Sequence, residues 1–105
     1  MNAPTRKEKI EQMLAEDPQD SFLRYGLAME LVSAGQDDQA IDQLRELLRR
    51  DPEYVPAYLQ AGQAFLRLGE EEQAKQILRE GIDMARKVND GHAASEMSGL
   101  LQGLG

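Results

Sequence analysis

The feature that most constrains this chain is an Asp-Pro pair that recurs after 34 residues, first at Asp17-Pro18 and again at Asp51-Pro52. Each pair follows a charged run, and each predicts the end of a helix because proline disfavours helical backbone angles in the residue before it. A stop signal that returns at a fixed interval indicates a repeated structural unit, and therefore a stacked array of such units.

Alignment of the chain with itself at this offset places similar residues on one another. Small residues match small ones where two helices must approach closely, and large residues match where they fill the space between. The matched positions are Leu27-Ala28 with Ala61-Gly62, Leu31 with Phe65, Gly35 with Gly69, Gln39-Ala40 with Gln73-Ala74, and Leu44 with Leu78. The repeat therefore extends through the apolar stripes as well as the turns.

Apolar residues recur at helical spacing through the whole chain, and no stretch alternates with the period of a strand. Thr5 and Glu8 form a capping-box pattern, Gly35 predicts a left-handed helix end, and Asp37 or Asp38 is expected to cap the helix that follows. The predicted helices are Thr5 to Ala15, Asp20 to Ala34, and Asp37 or Asp38 to the second Asp-Pro pair. A fourth carries Ala57, Tyr58 and Phe65 on one face and ends at Gly69, a fifth runs from Glu70 to about Val88, and a last from Asp90 to about Leu104.

This arrangement resembles the tetratricopeptide repeat family, whose units are antiparallel helix pairs of this length. The signature is carried by Leu27, Ala28, Leu31, Ala40, Leu44 and Pro52 in the first unit, and by Tyr58, Ala61, Gly62, Phe65, Ala74 and Leu78 in the second. The resemblance implies an all-α fold, a right-handed α-solenoid of antiparallel helix pairs with about six helices. It divides one domain, 1–105, into an N-terminal half-repeat helix at 5–16, repeats at 17–52 and 53–88, and a capping helix at 90–104.

Three positions depart from the family pattern. Arg24 stands where a large aromatic is usual, and Leu47 is bulkier than the usual alanine, whereas Gly81 fits the same place in the second unit. Arg86 replaces the closing proline, which suits a helix that continues. These departures predict local changes in packing within an unchanged architecture.

Charge and composition exclude several classes of function. The formal net charge of -7 argues against nucleic-acid binding and against docking to an anionic membrane, and no apolar run is long enough to span a bilayer. The basic residues Arg45, Arg49 and Arg50 are interpreted as a helix C-terminus that suits the helix dipole, and a local basic patch is the alternative. No secretory signal is visible, so a cytoplasmic protein is expected.

The sequence offers little for catalysis. Cysteine is absent, and the single histidine, His92, pairs in sequence only with Glu96. Neither a metal site nor a cofactor site is expected, and no phosphate-binding or dinucleotide motif is present. The chain is therefore predicted not to be an enzyme.

In the family that the chain resembles, the first helix of each repeat lines a concave groove that receives a segment of another protein. The equivalent residues are Phe22, Tyr25, Met29 and Val32 on the second helix, and Leu59, Gln63, Leu66 and Arg67 on the fourth. Tyr25 and Met29 occupy the places where some members carry a Lys-Asn clamp for a chaperone carboxylate, so apolar anchoring is expected here, with Arg67 available for an acidic group.

The second helix is apolar on two sides, which leaves two ways to cover its second side. A terminal helix of the same chain would cover it, or a binding partner would. The functional prediction is an adaptor that binds a peptide or protein segment, and the alternative is a homodimer formed through the same surface.

Overall fold

The structure is a computed structural model that describes residues 3–105, and the first two residues of the predicted 1–105 domain lie outside that range. Over these residues the fold is all-α, as predicted, with no strand. The six helices are α1 (Arg6–Glu16), α2 (Ser21–Ser33), α3 (Asp37–Arg50), α4 (Val55–Arg67), α5 (Glu71–Lys87) and α6 (Gly91–Gly103).

Among the described residues each helix packs mainly against the next helix in the chain, and a smaller contact joins α4 to α6. The molecule is consequently elongated, with principal extents of 51, 29 and 19 Å. This one-dimensional order is that of a helical-repeat solenoid, in which neighbouring units bury one another's apolar faces.

The turns after α1 and α3 have the same backbone structure. The Asp17 amide donates to the Met13 carbonyl at 3.0 Å, and the Asp51 amide donates to the Leu47 carbonyl at 2.7 Å. The φ angles of the two aspartates are -137° and -140°. The Asp-Pro pairs therefore build one turn twice, which confirms that each ends a helix.

The turns within the helix pairs also repeat. Gly35 and Gly69 both adopt a φ of +74°, a conformation that side-chain-bearing residues seldom take. The left-handed helix end predicted at Gly35 is thus confirmed, and it recurs one repeat later.

The helix caps agree with the sequence at α1 and differ at α3. Thr5 and Glu8 form the predicted reciprocal capping box. The cap predicted at Asp37 or Asp38 is wrong, because Gln36 occupies the N-cap position and makes no side-chain cap hydrogen bond. Asp37 is instead the first helical residue, and its carboxylate binds Arg67.

The two repeats place large and small residues at different positions of the core. Leu47 is fully buried and shares a cluster with Ala28, Ala57 and Ala61, whose small side chains make room for it. At the equivalent place in the second repeat, a Cβ on Gly81 would lie 2.5 Å from the Tyr58 Cβ. The two interfaces are therefore filled by different combinations of residues.

The last helix presents a polar outer side. Its exposed positions are Gly91, His92, Ser95, Glu96, Gly99, Gln102 and Gly103. Its inner side buries Ala94 and Met97 against residues of α4 and α5.

No helix within residues 3–105 combines the length and the apolar character needed to cross a membrane.

Candidate functional site

The eight residues predicted to form the groove lie on α2 and α4, the first helices of the two pairs. Phe22 is 74% exposed, and Arg67 is the other exposed member. The half-buried members are Tyr25, Met29, Val32, Leu59, Gln63 and Leu66. We call this set of eight residues the groove face. Phe22 is its one exposed apolar side chain, since the other apolar members are half-buried.

Tyr25 and Met29 lie at the junction between α2 and α4. Both pack against the buried cluster that contains Ala57 and Ala61 of α4. The ring of Tyr25 is tilted against that of Tyr54, with 5.3 Å between their centroids. These two groove residues therefore help to join the repeats while they keep part of their surface open.

Burial also affects the acidity of the two tyrosines. Loss of solvent raises the pKa of Tyr25 above its ordinary value, and the nearby Gln60 amide partly opposes that rise. Burial likewise raises the pKa of Tyr54, and the negative charges of Asp51 and Asp20 add to the effect. Both phenols therefore stay neutral at physiological pH.

The remaining apolar members divide among other clusters. Val32 packs with the cluster that α1 forms on α2 through Ile10 and Leu14. Leu59 packs against the cluster that includes α6, and Leu66 packs against that of Phe65. The second side of α2 is thus covered piecewise by its neighbours, which leaves its N-terminal end around Phe22 open.

Polar contacts hold the backbone on which Phe22 sits. The Asp20 carboxylate accepts from the Leu23 amide at 2.9 Å and caps α2. The Ser21 hydroxyl donates to the Asp51 carboxylate at 2.8 Å, which ties α2 to the turn after α3. Phe22 therefore projects from a backbone fixed on both sides, and its exposure is not a consequence of a loose terminus.

Arg67 differs from expectation. Its guanidinium makes a bidentate ion pair with Asp37, with donor-acceptor distances of 3.0 and 2.9 Å. The Asp37 side chain is only 12% exposed. The expectation that Arg67 offers a free charge to an acidic group is wrong, because the charge already connects the start of α3 to the end of α4.

The described residues contain no group of three or more His, Asp or Glu side chains arranged to hold a metal ion. His92 and Glu96 are both exposed on α6.

Sequence reasoning missed a second surface, between α3 and α5. It is a groove of about 370 Å³ lined by Arg45, Leu48, Arg49, Tyr58, Phe65, Gln73, Gln76, Ile77 and Glu80. The helical spacing of Arg45, Leu48 and Arg49 is a usable signal for one wall. The facing wall belongs to the next repeat, so the groove itself follows only from packing.

Comparisons with known proteins agree with this geometry. Two tetratricopeptide repeat family profiles match, one over residues 2–56 and the other over residues 31–95. A TPR repeat-containing protein of Pseudomonas aeruginosa is 30% identical over 97 residues, which are 92% of this chain and 92% of that protein.

Solved structures give the same result. The solution structure of a tetratricopeptide repeat domain protein from Salinibacter ruber matches with a TM-score of 0.79 and 31% identity, over 84% of this chain and 89% of that one. The TPR2B domain of yeast Sti1, in its complex with pHsp70, matches with a TM-score of 0.87 and 22% identity, over 93% of this chain and 78% of that one.

Proposed function

Because this chain belongs to the tetratricopeptide repeat family, we propose that it is a non-catalytic adaptor that binds a segment of another protein on its groove face. The observation that carries the proposal is Phe22, a large aromatic side chain that is 74% exposed on α2. Exposed aromatics on an ordered backbone are typical of binding anchors.

The setting of Phe22 favours a peptide-like ligand. Phe22, Tyr25 and Met29 follow one another at helical spacing, so they share one side of α2. Phe22 is open, while the other two expose only part of their side chains. A ligand segment with apolar side chains would cover this strip with little rearrangement, because the backbone beneath it is already fixed.

The fold comparison supports the same class of function. The TPR2B domain of yeast Sti1, which has this fold, is solved as a complex with pHsp70. In the present chain the places of a Lys-Asn clamp hold Tyr25 and Met29. We therefore assign recognition to apolar contacts with the partner, and we place the adaptor in the cytoplasm as part of the same proposal.

The first experiment is affinity capture with Phe22→Glu. The substitution introduces a charge at an exposed position, so it should leave the fold intact while it disfavours an apolar ligand. Met13→Glu is the matched control, because Met13 is also an exposed apolar side chain, 46% exposed, but lies on α1 outside the groove face.

The chain and both variants are used to capture proteins from a lysate of the organism that encodes it, and captured proteins are identified by mass spectrometry. We expect a protein retained by the wild type and by Met13→Glu, and lost with Phe22→Glu. Equal retention by both variants, with unchanged circular dichroism, would remove Phe22 from the binding surface.

The alternative is a homodimer, and the same exposed Phe22 favours it, since a second copy would cover the ring equally well. Sedimentation equilibrium over a range of concentrations distinguishes the two. A monomer at every concentration excludes self-assembly as the function, whereas a dimer that Phe22→Glu dissociates would replace the adaptor by a self-assembly module.

A further inference from the structure

The groove between α3 and α5 has an apolar floor and a polar rim. Half-buried Leu48 and Ile77 lie on its two walls, and the buried ring of Phe65 lies beneath them. The glutamines Gln73 and Gln76 stand on the α5 side. A volume of about 370 Å³ is at the lower end of the usual range for binding pockets, enough for one or two side chains.

Arg45 is positioned over this floor. Its guanidinium carbon lies 5.1 Å from the centroid of the Phe65 ring, a cation–π contact that orients the planar group. Within residues 3–105 no carboxylate lies within ion-pair distance of Arg45, and no hydrogen bond engages its donors. The orientation is thus fixed by an aromatic ring, while the charge stays available.

The neighbouring arginines behave differently. Arg49 and Arg50 both bind the Glu46 carboxylate, which is consistent with their predicted place at a helix end. Arg45 lies one turn earlier than Arg49 on the same side of α3 and has no such carboxylate. The interpretation of Arg45, Arg49 and Arg50 as residues that suit the helix dipole therefore does not account for Arg45, whose exposed donors have no partner among the described residues.

The charges around the groove favour an acidic ligand. Arg45 and Arg49 both line the α3 wall, and Glu80 is the one carboxylate among the described residues that line the groove. Arg49 is already paired with Glu46, whereas Arg45 has no such carboxylate within the described chain. The charge available to a ligand is therefore that of Arg45, in a chain with a formal net charge of -7. A carboxylate beside Arg45 would gain bidentate hydrogen bonds, and an adjacent apolar side chain would enter the space over Leu48 and Ile77.

We propose that the α3–α5 groove is a second docking site, which takes a protein segment carrying a carboxylate next to an apolar side chain. The site is separate from the groove face, since its walls are the second helices of the two pairs. An adaptor with both sites would hold two segments at once.

The probe is a short synthetic peptide in which aspartates flank a leucine and a phenylalanine, titrated to millimolar concentration while protein amide NMR signals are followed. A second peptide has asparagine in place of each aspartate. We expect shifts of α3 and α5 amides with the first peptide, and at least about fivefold weaker binding of the second, given the usual strength of hydrogen bonds to charged groups.

The matched variants are Arg45→Gln and Arg79→Gln. Arg79 is also an exposed arginine without an ion-pair partner in the described chain, but it lines the other side of α5, beside Ile82 and Asp83. Arg45→Gln should weaken binding of the acidic peptide about fivefold or more, and Arg79→Gln should change it less than about twofold.

Three results would overturn the proposal. They are the absence of shifts in α3 and α5 with the acidic peptide, equal binding by wild type and Arg45→Gln, and shifts confined to α2 and α4 that Phe22→Glu removes. The last result would place the peptide on the groove face and would leave the adaptor proposal standing.

Discussion

Arg24 and Tyr58 occupy the same place in successive repeats and make the same kind of hydrogen bond with different chemistry. The Tyr58 hydroxyl donates to the Pro52 carbonyl at 2.7 Å, and the Arg24 guanidinium donates to the Pro18 carbonyl at 3.1 Å. In each case the acceptor is six residues earlier. The arginine thus retains the bond between the first helix of a repeat and the turn before it.

Arg24 adds a contact that a tyrosine would not make. Its other terminal nitrogen donates to the Gln43 side-chain oxygen at 2.9 Å, which links α2 to α3. The departure from the family's aromatic residue therefore exchanges apolar packing for a polar link between the two helices of one repeat.

Gly81 provides a stability prediction at the residue scale. A Cβ there would lie 2.5 Å from the Tyr58 Cβ and 2.6 Å from the Met97 sulfur, so α4, α5 and α6 would have to shift. Overpacking of this kind costs about 1–3 kcal/mol, partly offset by about 1 kcal/mol of better helix propensity. We expect Gly81→Ala to lower the free energy of unfolding by about 1 kcal/mol, measured by urea titration.

Gly99→Ala is the control, because this glycine is also helical but has nothing within 4 Å of its added Cβ. It should raise the free energy of unfolding by roughly 0.5–1 kcal/mol through helix propensity alone. If both alanine variants were stabilised equally, the close approach of the helices at Gly81 would be refuted.

At the scale of the elements, the junction of α3 and α4 depends on the pair between Asp37 and Arg67. We expect Asp37→Asn to lower the free energy of unfolding by roughly 1 kcal/mol, a value discounted because the Arg67 side chain is 43% exposed. Asp38→Asn removes the same charge from the same helix terminus at an exposed position.

Comparison of the two asparagine variants separates the ion pair from the helix-dipole contribution. A double-mutant cycle with Arg67→Gln completes the test by thermal or urea unfolding. A coupling energy near zero between positions 37 and 67 would mean that the pair does not stabilise the junction.

The last turn of α3 gives a prediction about pH. Hydrogen bonds from Arg49 and then Arg50 lower the pKa of Glu46 from 4.5 to about 2. Since the folded-state value is lowered, the stabilisation is present above pH 4.5 and is lost as the pH falls toward 2. Carboxyl NMR signals should give a titration midpoint for Glu46 well below that of an ordinary glutamate.

Arg49→Gln should move this midpoint upward, and added salt should do the same because the residues are solvent-exposed. A midpoint near 4.5 in the wild-type protein at low salt would show that the two arginines do not hold the carboxylate in solution.

Across the whole molecule, stability should vary along the solenoid. Among the described elements, α1 has substantial packing only with α2, and it buries just Ile10 and Leu14. α4 packs with three helices and buries seven residues. Because array ends open more easily than central units, amide hydrogen exchange should be faster in α1 than in α4. Equal protection of the two helices would instead indicate fully cooperative unfolding.

The fold was predictable because its determinants are local or periodic. The Asp-Pro turns, the left-handed glycines and the small-and-large pattern each specify geometry within one repeat, and the offset between repeats specifies the stacking. The cap of α3 was not predictable in this way. Asp37 has the chemistry of a cap, but a guanidinium 30 residues away binds its carboxylate.

The assignment of the groove face as a binding surface stays a prediction, and the exposure of its residues does not follow from the sequence. Spacing places Phe22, Tyr25 and Met29 on one side of α2, whereas their exposure depends on how closely α4 approaches. The α3–α5 groove could not be predicted from the sequence for the same reason, since its walls come from different repeats.

Division of the chain into repeats at 17–52 and 53–88 stays a prediction.

The adaptor proposal is tested most directly by the affinity of a partner segment for this chain. Once a captured partner segment is known, isothermal titration calorimetry would compare its binding to the wild-type chain and to Phe22→Ala. A buried aromatic anchor is worth about 2 kcal/mol or more, so we predict at least roughly thirtyfold weaker binding by the variant with unchanged unfolding stability. Equal affinities would contradict the assignment of the groove face as the binding surface.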